Sequence, residues 1–199
     1  MLTPRDLPRT VFSGYWGKCH CQGIAVDRKN RVIYYSFTTK LVKTDFRGNL
    51  IGSVDGLTGH LGCIGFCEAD GKIYGSLEFK NDAIGKGILR ALGKDGRVAE
   101  AFYCAVFDGD AVVRPDMDAE KDGVMRAVFL PDVTEMYADT VRVGSKTLSH
   151  RYGCSGIDGT GWGKVPGEDR YALLIAAGVY GDTGRAGRRW IFPCAEQGM

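Results

Sequence analysis

Short apolar runs separated by polar or glycine-containing turns dominate the first part of the chain. Gly23-Ile-Ala-Val-Asp27 predicts a short strand, Asp27-Arg-Lys-Asn30 a polar turn, and Val32-Ile-Tyr-Tyr-Ser-Phe37 a β-branched and aromatic strand. After a two-residue break at Thr38-Thr39, Lys40-Leu-Val-Lys-Thr-Asp45 predicts a third strand. The turn Phe46-Arg-Gly-Asn49 leads into a fourth, Leu50-Ile-Gly-Ser-Val54. Apolar and polar positions alternate only weakly here, as expected for a sheet covered on both faces.

The pattern then repeats. His20-Cys-Gln-Gly-Ile24-Ala-Val26 precedes Ile33-Tyr34-Tyr-Ser36, and 40 residues later His60-Leu-Gly-Cys-Ile64-Gly-Phe66 precedes Ile73-Tyr74-Gly-Ser76 without a gap. A looser copy runs His150-Arg-Tyr-Gly-Cys-Ser-Gly156-Ile157-Asp158, followed by the strand-like Tyr171-Ala-Leu-Leu-Ile-Ala-Ala. The second unit continues with Ile73 to Phe79, an expected polar hairpin over Lys80 to Gly87, a strand over Ile88 to Leu92, and the apolar run Ala101 to Phe107. An acidic loop is expected from Asp108 to Gly123, then strands over Met125 to Leu130 and Tyr137 to Val141.

Self-similarity of this length in strand-rich units predicts an all-β fold. The architecture expected is a β-propeller-like array of four-stranded antiparallel blades, three to four of them present and not closed. The blades start near residues 20, 60 and 150 of a single partial domain, 1–185. An atypical tail, 186–199, follows where the strand rhythm stops, so an incomplete ring is expected.

Composition narrows the class. A chain of 199 residues, 44% hydrophobic and 25% charged, can bury a sizeable core. Its 26 basic and 24 acidic residues are interspersed, which argues against a nucleic-acid partner. No apolar run reaches the length of a membrane span, and no signal-peptide pattern opens the chain, so the expectation is a cytoplasmic protein without a membrane partner. Seven cysteines without a repeated CxxC pair read as reduced, mostly buried thiols. The 29 glycines fall between apolar runs, as many short strands require.

The histidines are the sharpest chemical candidates. At the starts of successive repeats, His20, His60 and His150 would converge on one channel mouth. There they would hold a divalent metal or act as acid and base near neutral pH. The alternative is that each fastens its own strand by a hydrogen bond. Asp27 and Asp158 stand just after first strands and are channel-mouth candidates of the same kind, or turn-capping aspartates. Cys19-His20-Cys21 with Cys63 and Cys67 has the chemistry of a composite zinc site or of inert thiols. Asp116-Met-Asp118-Ala-Glu120-Lys-Asp122 alternates carboxylates like a calcium loop, yet Lys121 and Ala127 fill the positions where an EF-hand needs Gly and Glu. Neither a phosphate-binding glycine motif nor a serine elbow is complete.

The run from Gly23-Ile-Ala-Val-Asp27 through Val32-Ile-Tyr-Tyr-Ser36 to Leu41-Val-Lys-Thr-Asp-Phe-Arg-Gly-Asn-Leu50 resembles a blade of the NHL, lactonase-like and phytase-like propellers. The Thr44-Asp45 hairpin is its most typical part. The resemblance covers residues 20 to about 80 well and 150 to 180 loosely. It implies fold, and it implies catalytic or metal-binding groups at the channel-facing blade starts; no complete ligand set from those families is matched. The expectation is a protein of undefined activity binding a small molecule or metal at the channel mouth. A hydrolase of lactonase or esterase type, using the channel histidines and a metal, is the second reading, and a protein-interaction scaffold the third.

Overall fold

The turn chemistry of the first repeat produces four strands: β1 (Cys21–Asp27), β2 (Val32–Phe37), β3 (Lys40–Asp45) and β4 (Leu50–Asp55). Asp27 and Asp45 build the turns. Asp27 Oδ1 accepts from the Asn30 N–H at 3.0 Å, and Asp45 Oδ1 accepts from Arg47 and Asn49 N–H at 2.8 and 2.9 Å. A computed structural model describes residues 10–17, 19–138, 140–149, 156–178 and 190–193.

The second repeat supplies β5 (His60–Cys67) and β6 (Lys72–Phe79), then helix α1 (Ala83–Ala91), β7 (Ala101–Asp108), the short β8 (Met117–Asp118) and β9 (Met125–Phe129). Helix α2 (Pro131–Ala138) leads to the hairpin β10 (Thr140–Val143) and β11 (Lys146–Ser149). The last described strands are β12 (Gly156–Lys164), β13 (Tyr171–Gly178) and β14 (Trp190–Pro193). The protein is mostly β, with several antiparallel sheets and no closed sheet among the described residues.

Three sheets carry the core. The first orders β1-β2-β3-β4 antiparallel with β8 added in parallel to β4, the second β5-β6-β7-β9, and the third β12-β13-β14. Side chains alternate between two cores because successive residues of a strand point to opposite faces. Val32 and Tyr34 of β2 join Leu61, Ile64, Ile73 and Phe107 between the first and second sheets. On the other face of β2, Ile33, Tyr35 and Phe37 pack under Val11 and Trp16 of the preceding segment. Tyr74, Phe102, Cys104 and Val106 face the opposite way, onto Ile157, Leu173 and Ile175 of the third sheet and Val133 of α2. Tyr34 and Tyr74, 40 residues apart, each meet an aromatic ring on the first strand of the next sheet. Tyr34 stacks on Phe66 at 6.3 Å, and Tyr74 meets Trp162 edge-on at 4.6 Å.

Several elements differ from the sequence expectation. The segment expected to be a hairpin followed by a strand over Ile88 to Leu92 is α1. Asp82 caps it by accepting the Gly85 N–H at 2.9 Å, and Ile88 and Leu89 are its buried side. Residues 137 and 138 close α2 rather than opening a strand, since Val133, Met136 and Tyr137 cover the end of the second sheet. The stretch 108–124 is a strap rather than a free acidic loop. Val112, Met117, Ala119 and Val124 are buried in the core between the first two sheets. The buried Lys43 ammonium holds the strap by donating to the Gly109 and Val112 carbonyls at 2.8 and 3.2 Å. Within 186–199, Trp190–Pro193 pairs with β13 as β14. Among the described residues, no helix is long and apolar enough to cross a membrane.

The approach of the first two sheets depends on the absence of a side chain at Gly23. A Cβ there would lie 2.8 Å from Ile64 N and 3.0 Å from Cys63 Cα, and backbone cannot move aside cheaply. Gly87 in α1 has nothing within 4 Å of its ideal Cβ. Gly23→Ala is therefore expected to lower unfolding free energy by about 1–3 kcal/mol. Gly87→Ala is expected to raise it by about 0.5–1 kcal/mol. Urea denaturation of the two variants checks both signs, and a neutral Gly23→Ala would refute the close approach.

Candidate functional site

The first strands of the three sheets begin at one end. β1 lies along β5, and β5 lies along β12, where a Cβ on Gly65 would come within 3.6 Å of Thr160 O and 3.9 Å of Gly161 Cα. At the joint between the first two sheets the Leu61 N–H, second in β5, donates to the Thr38 carbonyl at 2.8 Å. Across the next joint, the N–H of Ile157, second in β12, instead donates to the Glu78 side chain, with Oε1 at 2.5 Å. Glu78 stands one repeat after Thr38, so a carboxylate takes the place of a main-chain carbonyl. Gly156 makes room for it: its φ is +145°, and a Cβ would sit 2.5 Å from Glu78 Oε1.

Glu78 is buried, at 5% exposure, and its charge is compensated on its other oxygen. Lys80 Nζ is 2.8 Å from Oε2, and His60 Nδ1 is 3.9 Å from the same atom, an electrostatic contact at that separation. Burial alone would push the Glu78 carboxyl up, but His60, Lys80 and the Ile157 N–H together outweigh it and hold the group below the ordinary glutamate range. Burial likewise opposes the charge on Lys80, and the Glu78 carboxylate overcomes it, raising the lysine. Lys80 also lies 3.8 Å from Asp82, the residue that caps α1. A carboxylate beside Nδ1 favours the proton on that nitrogen.

The other candidates distribute differently. His20 is exposed, and its Nε2 is 3.0 Å from Gln22 Nε2. Asp27 lies at the far end of β1, buried and engaged with Asn30 through both oxygens, so it serves its turn. Asp158 is placed in β12, and His150 lies outside the described residues. Among the described residues, no group of three or more His, Cys, Asp or Glu is placed to hold a metal ion. Cys19, Cys21, Cys63, Cys67 and Cys104 are free thiols. Burial raises the Cys21 and Cys67 thiols, which makes them poor thiolate ligands.

Three carboxylates of the calcium-like run, Asp116, Asp118 and Asp122, are engaged by other groups of the protein. Asp118 accepts from the Glu120 and Lys121 N–H groups, Asp122 receives Arg114 at 2.9 Å, and Asp116 receives Lys40 at 3.0 Å. Lys40 also binds Asp55 at 2.6 Å and lies over the Trp16 ring, 4.8 Å from its centre. Compared with known proteins, the chain matches no family model and no curated sequence.

Because the folded carboxyl of Glu78 is held below its unfolded value, its contribution to stability is present above about pH 4.5 and is lost as pH falls through the folded value. Glu78→Gln removes the buried carboxylate that neutralises Lys80 and is expected to cost about 3 kcal/mol at pH 7. It should also flatten the acid limb of the stability profile. Urea denaturation between pH 3 and 7 measures both effects, and a variant with the wild-type acid limb would show that Glu78 does not carry this linkage.

Proposed function

We propose that the chain is a β-propeller-type protein with an incomplete ring, which binds a small molecule at the end where β1, β5 and β12 begin. The side-by-side first strands support the reading, as do the matched contacts of Tyr34 with Phe66 and Tyr74 with Trp162. The observation that carries it is His60, backed by the buried Glu78 carboxylate. His60 Nε2 accepts a hydrogen bond from a hydroxyl or acidic N–H of the ligand, while the Glu78 carboxylate faces its Nδ1. The free thiols of the described residues fit a reducing, cytoplasmic setting.

The same pair favours a second reading as a hydrolase. A histidine oriented by a carboxylate takes a proton from water as it attacks an ester or lactone carbonyl. The described residues supply His60 as base and Glu78 as its orienting group.

Titration of 15N-histidine-labelled protein with small lactones and hydroxy acids tests both readings. Binding is expected to move the His60 Nε2 resonance in a saturable way and to be lost in His60→Asn. Turnover of a lactone, absent in the same variant, would favour the hydrolase over simple binding. Unmoved His60 resonances throughout the series would contradict the proposal.

A further inference from the structure

A groove of about 330 Å³ opens between the first and second sheets, lined by the segment that leads into β5 and by the last residues of β6. Twist makes two stacked sheets diverge with distance from their closest strands. Here the strap fills part of that wedge and leaves the rest open. Leu57 and Leu77, each 3% exposed, belong to its floor, with Phe79, Tyr103 and Met125 on the walls. The Phe79 and Tyr103 rings meet edge-on at 5.6 Å and 82°, so an aromatic face and an aromatic edge border one space. Such a lining accepts an apolar or aromatic group.

The rim has one sign of charge. Glu120 lines the groove, and its carboxylate makes no hydrogen bond or ion pair with the described residues; only its main chain is engaged, the N–H with Asp118 and the carbonyl with Gly123. Asp118 stands beside the entrance, its Oδ2 3.1 Å from the ideal Cβ position of Gly56. Lys121 is the nearby counter-charge, 3.5 Å from Asp118, but its side chain is 86% exposed and well screened by water. An acidic rim above an aromatic wall is the pairing that recognises a cation attached to an apolar body.

We propose that this groove is a binding site for a small organic ammonium ion carrying an apolar or aromatic group. The group enters between Phe79, Tyr103 and Met125, and the ammonium faces Glu120. Leu77 and Phe79 flank Glu78 along β6 but face the first sheet, so this site lies on the opposite face of the second sheet from the Glu78 carboxylate and does not use His60.

Phenethylammonium and its neutral counterpart 2-phenylethanol are the probes, titrated calorimetrically into the full chain, with the methyl resonances of Leu57, Leu77 and Met125 followed by NMR. Saturable binding of the cation should shift those methyls. Glu120→Gln is expected to weaken it about fivefold while leaving the alcohol unchanged. Ala127→Trp, at an exposed position of β9 on the groove wall, should abolish binding of both probes. Thr58→Trp blocks the opposite wall and serves if the first variant fails to fold. Methyls that do not shift, equal affinity for cation and alcohol, or binding that survives both tryptophan variants would each overturn the proposal.

Discussion

Strands β5, β6 and β7 of the second sheet carry buried side chains on both faces, and the other described sheets of the core are placed by that fact. A sheet with one wet face can end a structure; a sheet with two apolar faces needs a layer on each side. Along β7 the sequence Phe102-Tyr-Cys-Ala-Val-Phe107 alternates between the two layers. Phe102, Cys104 and Val106 meet the third sheet and α2, whereas Tyr103, Ala105 and Phe107 meet the first sheet. Tyr34 and Tyr74, 40 residues apart in sequence, each find an aromatic partner on the first strand of the next sheet.

Small residues and buried hydroxyls set how close these layers come. Ser36 Oγ donates to the Gly62 carbonyl at 2.5 Å across the first joint, and Gly23 lies against the backbone of Cys63 and Ile64. At the second joint the chemistry changes, because the carbonyl position of Thr38 is occupied in function by the Glu78 carboxylate. A carboxylate inside a protein needs cations or N–H donors around it. His60, Lys80 and the Ile157 N–H supply them, and in doing so they gather ionisable groups at the end where the first strands begin.

The strands of the first repeat were legible because local turn residues and β-branched runs agree with the final pairing; β2, β3 and their turns fall where the pattern places them. Helix α1 was hidden by Gly85 and Gly87, which read as turn residues, although Asp82 followed by Ile84, Ile88 and Leu89 is a cap and an apolar face. The strap was hidden by its acidity. Its buried residues, Val112, Met117, Ala119 and Val124, are spaced irregularly, and what pins them is Lys43, a strand residue far away in sequence. Of the site, His60 was visible from the repeat, while Glu78 was not: it reads as an ordinary strand residue until the third sheet is packed against it. The one signal was its place in the repeat, an acidic residue at the position of Thr38.

The three sheets stack in one order, with Tyr34 of the first and Tyr74 of the second each on the first strand of the next. Nuclear Overhauser contacts between aromatic rings measure this directly. Cross-peaks are expected between the Tyr34 and Phe66 rings and between the Tyr74 and Trp162 rings in the same sample. Loss of the Tyr74–Trp162 contact while Tyr34–Phe66 persists, or Tyr74 contacting rings of the first sheet, would contradict it.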